Sequence, residues 1–371
     1  MIMTMGELTA AELQTLGLYD PAAPDAAQRL ALLEYIVSAG ASADDLVAYK
    51  DELPGLPFLL AMRGGSPLTL AEAVERTGIC EGKLLRFVRA AGFPDPAPGD
   101  AAFTAQFVDL IGGVIAAEQV FGEIAVLQLV RVMGSTMGRL ADALVSAFLV
   151  NVEPAVRGED AVGLGVARAN AEAAAMMPVV ATGLDVLLRQ HLIGARRTIL
   201  GGADDSGYET RRMCVGFIDL VGSTALAQRL STRELGAVLT EFEHAATDTV
   251  TSGGGRVVKL IGDEVLYTAA EESEACTIAL ELAGTFAAHA TVPPVRAGVA
   301  AGEVLMRDGD VFGPVVNLAA RAVKIAGAGE VVVPVTLAAA AGIRAEPLGG
   351  RQLKGFERDV ELCGLRTVPG S

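Results

Sequence analysis

The rhythm of apolar and polar positions changes about two hundred residues into the chain. Up to there apolar residues recur every three to four positions, in runs that stop at glycine or proline, which is the period of amphipathic helices. Thr9-Ala-Ala-Glu12 has the form of a capping box, Asp25 stands where it would cap Ala26–Ala39, and Ser42 where it would cap Ala43–Lys50. Further runs at Leu70–Thr77, Lys83–Ala91, Ala102–Val132, Met137–Val150 and Val162–Leu188 predict helices, and no strand pattern competes with them. An all-helical domain is expected over residues 1–190. Residues 191–210, which include Gly201-Gly-Ala-Asp-Asp-Ser-Gly207, read as a linker or switch segment.

Beyond it the pattern alternates between periods. Met213–Ile218 predicts a strand, Gly222–Leu230 and Thr232–Thr251 helices, and Arg256–Ile261 with Glu264–Tyr267 a hairpin around Gly262-Asp263. Ala270–His289 follows as a helix, Pro294–Ala301 as a strand, Val315–Ala326 as a helix, Glu330–Val335 as a strand and Arg351–Leu365 as a terminal strand pair. This βαββαβ order predicts a ferredoxin-like α+β domain over residues 211–371.

Charge narrows the partners. The net charge of −16 divides into −9 for residues 1–200 and −7 for the rest, so neither half is a polyanion binder, and nucleic acid and anionic membranes are not expected. Leu68–Gly92 resembles a helix-turn-helix with its turn at Gly78, but Lys83, Arg86 and Arg89 are offset by Glu72, Glu75, Glu81, Asp95 and Asp100, which favours a packed helical corner over a DNA reader. The longest run without a charge, Leu282–Val295, holds two prolines and a histidine and falls short of the roughly 18 apolar residues of a span. With no basic, apolar leader at the start, a cytoplasmic protein without a membrane span is expected. Cys80, Cys214, Cys276 and Cys363 lack CxxC spacing, which predicts buried thiols in a reducing compartment and no zinc site.

Four stretches carry chemistry. Phe217-Ile-Asp-Leu-Val-Gly-Ser-Thr224 ends a strand at Asp219 and turns through glycine into a helix, a place that attracts phosphate and divalent cations. Asp263 sits at the hairpin bend; with the hairpin beside the first strand, the two carboxylates converge and suit Mg²⁺ or Mn²⁺ held jointly with phosphates. Asn317 and Arg321 share one helix face, an amide and a guanidinium fork suited to a ribose oxygen and a phosphate gaining charge. Lys354 lies in the glycine-bounded turn Leu353-Lys-Gly-Phe356. Taken singly, a helix cap, a turn aspartate and a solvated arginine explain each.

Together, in order, they are similar to the motifs of the class III nucleotidyl cyclase catalytic domain: F-x-D-L-V-G-S-T at Asp219, K-L-I-G-D-E at Lys259 and Asp263, D-V-F-G-P-x-V-N-x-A-A-R from Asp310 to Arg321, and L-K-G at Lys354. The resemblance covers Arg211–Arg366. It implies two Mg²⁺ or Mn²⁺ ions on Asp219 and Asp263, adenine read by Lys259 and Asp310, the transition state stabilised by Asn317 and Arg321, terminal phosphates met by Lys354, and sites shared across a homodimer. Leu8-Thr-Ala-Ala-Glu-Leu13 and Leu16-Gly-Leu-Tyr-Asp-Pro21 resemble the regulatory domain of soluble, pH-responsive mycobacterial-type cyclases. That likeness implies an autoinhibitory helical module able to take a fatty-acid-like ligand, with Ala173–Val180 as candidate lining. It also makes His191, at the junction, a candidate titratable switch. The reading is an adenylate cyclase forming 3′,5′-cyclic AMP and pyrophosphate from ATP; the alternatives are a catalytically silent nucleotide or ligand sensor with the same fold, and a DNA-binding regulator using Leu68–Gly92.

Overall fold

A computed structural model describes residues 8–63, 67–158, 162–198 and 209–365. The chain packs as two compact units, Met1–Ala195 and Arg196–Ser371.

The first unit runs α1 (Ala10–Thr15), α2 (Ala26–Ser38), α3 (Ala43–Ala48), a 3₁₀ turn at Leu53–Gly55, α4 (Leu56–Met62), β1 (Leu68–Thr69), α5 (Leu70–Thr77), α6 (Glu81–Ala90), β2 (Ala101–Phe103), α7 (Ala105–Ala116), α8 (Glu118–Phe121), α9 (Glu123–Asn151), α10 (Glu153–Arg157), α11 (Leu164–Ala175) and α12 (Met177–Thr198). Thr9 and Ser42 close capping boxes with Glu12 and Asp45, whereas Asp25 precedes α2 without a side-chain cap bond. Leu32, Leu33, Ile36, Leu46, Leu53 and Leu56 form one apolar core with Ala167, and Leu84, Phe87, Val88, Val108, Ile111 and Val126 a second.

Several expectations are corrected here. β1 and β2 pair antiparallel, so the unit is not wholly helical; at two and three residues they are too short for a period-2 pattern to register. The predicted helix Ala102–Val132 is divided by β2, by Ala117 and by Gly122, whose φ of 81° no continuous helix accommodates. Cys80 is exposed, while Cys214, Cys276 and Cys363 are buried, and burial pushes Cys214 and Cys276 up to about 12. By length and composition alone the helical run Leu164–Ala195 is long and apolar enough to cross a membrane; its first part packs Val166, Ala167, Ala169 and Ala174 into the unit, and its apolar later part is exposed. A cleft of about 790 Å³ is lined by Gln28, Ala155, Leu164 and Arg168 among others, and not by Ala173–Val180.

The helix-turn-helix resemblance ends in packing. Arg76 is paired with Asp109 at 2.7 Å, Lys83 with Glu118 at 2.5 Å, Arg86 with Glu123, and Arg89 with Asp95 at 2.7 Å, so the basic side chains of α5 and α6 spend their charge inside the unit. His191 is exposed on α12, and Gly201–Gly207 of the predicted linker lies outside the described residues.

In the second unit follow β3 (Glu209–Leu220), α13 (Ser223–Arg229), α14 (Thr232–Ser252), β4 (Arg256–Ile261), β5 (Glu264–Ala269), α15 (Glu272–Ala287), β6 (Val295–Arg307), β7 (Asp310–Phe312), α16 (Pro314–Ile325), β8 (Val331–Pro334), α17 (Val335–Ala341), β9 (Ala345–Arg351) and β10 (Val360–Leu365). The sheet order is β4-β5-β3-β6-β8-β10-β9, with β7 paired to β6. All pairings are antiparallel except β6 with β8. This is the expected α+β fold, with β7 and α17 as elements the sequence pattern did not disclose and with the first strand of the terminal pair, β9, lying before the expected Arg351–Leu365 and reaching only Arg351 of it.

The two faces of the sheet differ. One is sealed by α14, α15 and α17 over Ile218, Tyr267, Val299 and Val331; the other carries α16 over Val215, Phe217, Leu266 and Ala300. Because side chains alternate along β3, Asp219 falls on the α16 face with Phe217.

Candidate active site

The register of three strands assembles the first cluster. Asp219 on β3 stands opposite Glu264 on β5 and Arg296 on β6, so all three point to the α16 face. Arg296 donates to Asp219 Oδ2 from Nε at 2.9 Å and from Nη2 at 2.5 Å, and Lys324, on α16, donates to the same oxygen at 3.0 Å. Asp219 is one of few buried charged residues. Asp263 occupies the two-residue turn between β4 and β5, beside Gly262 at φ 64°, and its carbonyl accepts from the Leu220 amide at 3.1 Å, which pins the turn to the end of β3. The two predicted metal aspartates therefore meet at one end of the sheet.

Their charges are felt there. Burial pushes the Glu264 carboxyl up from its ordinary value; Lys324 opposes this, the negative charges of Asp219 and Asp263 add to it, and Arg296 opposes it weakly. Among the described residues no group of three or more His, Cys, Asp or Glu side chains is arranged to hold a metal alone. Paired hard oxygen donors that draw two cations to a buried carboxylate nonetheless fit Mg²⁺ or Mn²⁺, which bind through one or two carboxylates and complete their shell with phosphate and water.

The second cluster is a pair. Lys259 Nζ lies 2.5 Å from Asp310 Oδ2, and Asp310 Oδ1 accepts from the amide of Val311 at 2.8 Å. A bulge in β4 between Val257 and Lys259 shifts the strand just before the lysine, and the β6–β7 turn at Asp308-Gly309, both with positive φ, delivers the aspartate. Both side chains are partly exposed, so the ammonium and carboxylate face outward together.

The third is a cleft of about 740 Å³ lined by Asn317, Arg321, Lys354, Phe356 and Arg358 among others. Asn317 and Arg321 are exposed, one turn apart on α16, and Lys354 enters from the loop between β9 and β10. Thus each predicted residue except His191 falls into one of three groups in the second unit. Sequence reasoning missed Arg296, Lys324, Glu264 and Arg358. Lys324, three residues after Arg321, was legible as a same-face neighbour; Arg296 becomes visible only once β3 and β6 are in register.

The geometry meets its relatives here. Residues 207–361 match the family model described as the adenylate and guanylate cyclase catalytic domain. An uncharacterised protein of Mycobacterium tuberculosis is 33% identical over 356 residues, covering 92% of this chain and 91% of that protein. A Streptomyces coelicolor protein named adenylate cyclase is 35% identical over 258 residues, 69% of this chain and 66% of that one. A third, from M. tuberculosis and named pH-sensitive adenylate cyclase, is 28% identical over 369 residues, 92% of this chain and 88% of its own.

Proposed function

Since this chain belongs to the adenylate and guanylate cyclase family, we propose that it converts ATP to 3′,5′-cyclic AMP and pyrophosphate, at sites shared by two copies of the chain. The observation that carries the choice of ATP is the Lys259–Asp310 pair at 2.5 Å. Adenine offers a ring-nitrogen acceptor beside an amino donor, matching an ammonium beside a carboxylate, whereas guanine offers the reverse order. A site that hydrogen-bonds its substrate rejects the mismatch because its own groups are left unpaired.

The reaction joins the ribose 3′-oxygen to the α-phosphorus and breaks the bond from that phosphorus to the bridging oxygen, with pyrophosphate leaving and the 3′-hydroxyl proton released to solvent. Asn317 holds the ribose, Arg321 meets the charge growing on the α-phosphoryl oxygens, and Lys354 binds the terminal phosphates. Asp219 and Asp263 hold two divalent ions, which supply neutralisation of the triphosphate and a more acidic 3′-hydroxyl. In the arrangement we favour, one copy brings Asp219 and Asp263 while the other brings Lys259, Asp310, Asn317 and Arg321. The exposed apolar side chains Leu260, Ile261 and Phe312, beside these groups, support burial against a second copy.

The helical unit is the regulator in this reading. It restrains the catalytic unit, responds to pH through the junction bearing His191, and takes a fatty-acid-like ligand; support comes from the relative named pH-sensitive adenylate cyclase, similar along nearly the whole chain. The protein is cytoplasmic on the same reading. Cyclic nucleotide formation by the full chain from ATP and from GTP, with Mg²⁺ or Mn²⁺ and from acidic to neutral pH, tests it. Cyclic AMP as the main product is the expected result. Equal use of GTP overturns the base-reading assignment, and no product under any condition overturns the enzyme.

A further inference from the structure

The buried carboxylate at the end of β3 is held by two cations of its own subunit, and these differ in kind. Arg296 is in register with Asp219 on the neighbouring strand, makes two hydrogen bonds to one oxygen, and has a side chain only 27% exposed. Two bonds to one oxygen and low exposure hold it against the sheet. Lys324 comes from the last turn of α16, is 53% exposed, and makes one bond of 3.0 Å to the same oxygen, with Glu264 Oε1 at 3.8 Å. Its four-carbon stem can carry the ammonium into solvent with no change in the backbone.

The Asp219 side chain is 6% exposed, and of its two cationic partners Lys324 is the more exposed, which makes its ammonium the partner more open to solvent. A divalent cation approaching Asp219 from solvent meets a positive charge already in hydrogen-bond contact. We propose that Lys324 is a tethered competitor for the divalent cation: its ammonium holds Asp219 and Glu264 until a metal ion displaces it, and this exchange sets the metal affinity of the chain. The inference rests on Asp219 being a metal-binding residue, as argued above.

The exchange has a second consequence. Lys324 shares α16 with Asn317 and Arg321, so its bond to Asp219 ties the cleft-bearing helix to the metal-binding strand end of the same copy. Metal binding frees that tie.

Direct Mn²⁺ titration of the full-length protein, with free ion counted by electron paramagnetic resonance, tests the proposal without any turnover. Lys324→Met should bind Mn²⁺ about tenfold more tightly than wild type, about 1.4 kcal/mol. Lys324→Gln should shift the same way, and Lys324→Arg, which keeps the cation, should stay near wild type. Asp219→Asn is the reference and should lose the binding. Wild-type or weaker affinity in both Lys324→Met and Lys324→Gln, with binding lost in Asp219→Asn, overturns the competition and leaves the metal site standing. Undiminished binding in Asp219→Asn overturns the metal assignment and the proposal with it. Thermal unfolding of each variant checks that the fold is kept, which the exposure of Lys324 favours.

Discussion

Lys259 and Asp310 lie 51 positions apart and meet only because the middle of a bulged strand comes beside the start of a three-residue strand. Replacing them together, Lys259→Glu with Asp310→Cys, removes both of the proposed adenine contacts. ATP turnover should fall far more than GTP turnover, and an unchanged ratio in a paired-substrate assay would refute the base-reading roles. Glu264 gives a prediction about stability. Its carboxyl is raised in the folded chain, so between its ordinary and raised values the folded state holds more proton than the unfolded one, and stability is lost as pH rises through that window. Glu264→Gln should therefore melt at a higher temperature than wild type near neutral pH, with the difference closing as pH falls below the ordinary carboxylate range; calorimetry at several pH values reads this out. The residues legible in the sequence were those that local context marks, such as Asp219 at a strand end, Asp263 in a turn, or Asn317 and Arg321 one helical turn apart. Arg296 was hidden because its partner is 77 residues away and only register brings them together.

The elements place these residues by close approach. A Cβ on Gly298 of β6 would lie 2.2 Å from the backbone nitrogen of Val323 and 2.6 Å from the Ala319 carbonyl, so α16 rests directly on the strand there. Gly298→Ala must push the helix outward and with it Asn317, Arg321 and Lys324. A loss of about 1–3 kcal/mol in denaturant unfolding is expected, together with reduced cyclase activity. On the other face Gly216 makes room for the ring of Tyr267, which is fully buried and donates to the Ala275 carbonyl at 2.6 Å. Long elements were readable because period survives over many residues: α5 has its predicted limits, and α14 and the β4–β5 hairpin differ by two residues at most. What escaped was short, alanine-rich or, like β9 with Pro347, Gly349 and Gly350, made of residues that strands avoid. β7 has three residues after a tight turn, and α17 follows β8 with no polar break beyond Pro334 and Thr336, so neither offers a period to read.

At the scale of the whole molecule, the proposed shared sites assign the three groups of residues in one copy to sites completed by another. If one copy supplies Asp219 and Asp263 and its partner supplies Lys259, Asp310, Asn317 and Arg321, each dimer holds two sites. Asp219→Ala and Asn317→Ala should then each be inactive alone, because every site in either homodimer carries a lesion. In a heterodimer of the two, both lesions fall in one site and the other is intact. Random mixing of equal amounts makes about half of all dimers heterodimeric, so about a quarter of wild-type activity should return once subunits exchange fully and the sites act independently. Sites built within single chains would give a different result, since no mixture could restore an intact one. Mixing the two variants, one of them tagged, and assaying cyclic AMP alongside a pull-down separates these cases: exchange without recovered activity would overturn the shared-site arrangement, and recovery near a quarter would establish that the two clusters of one chain serve different sites.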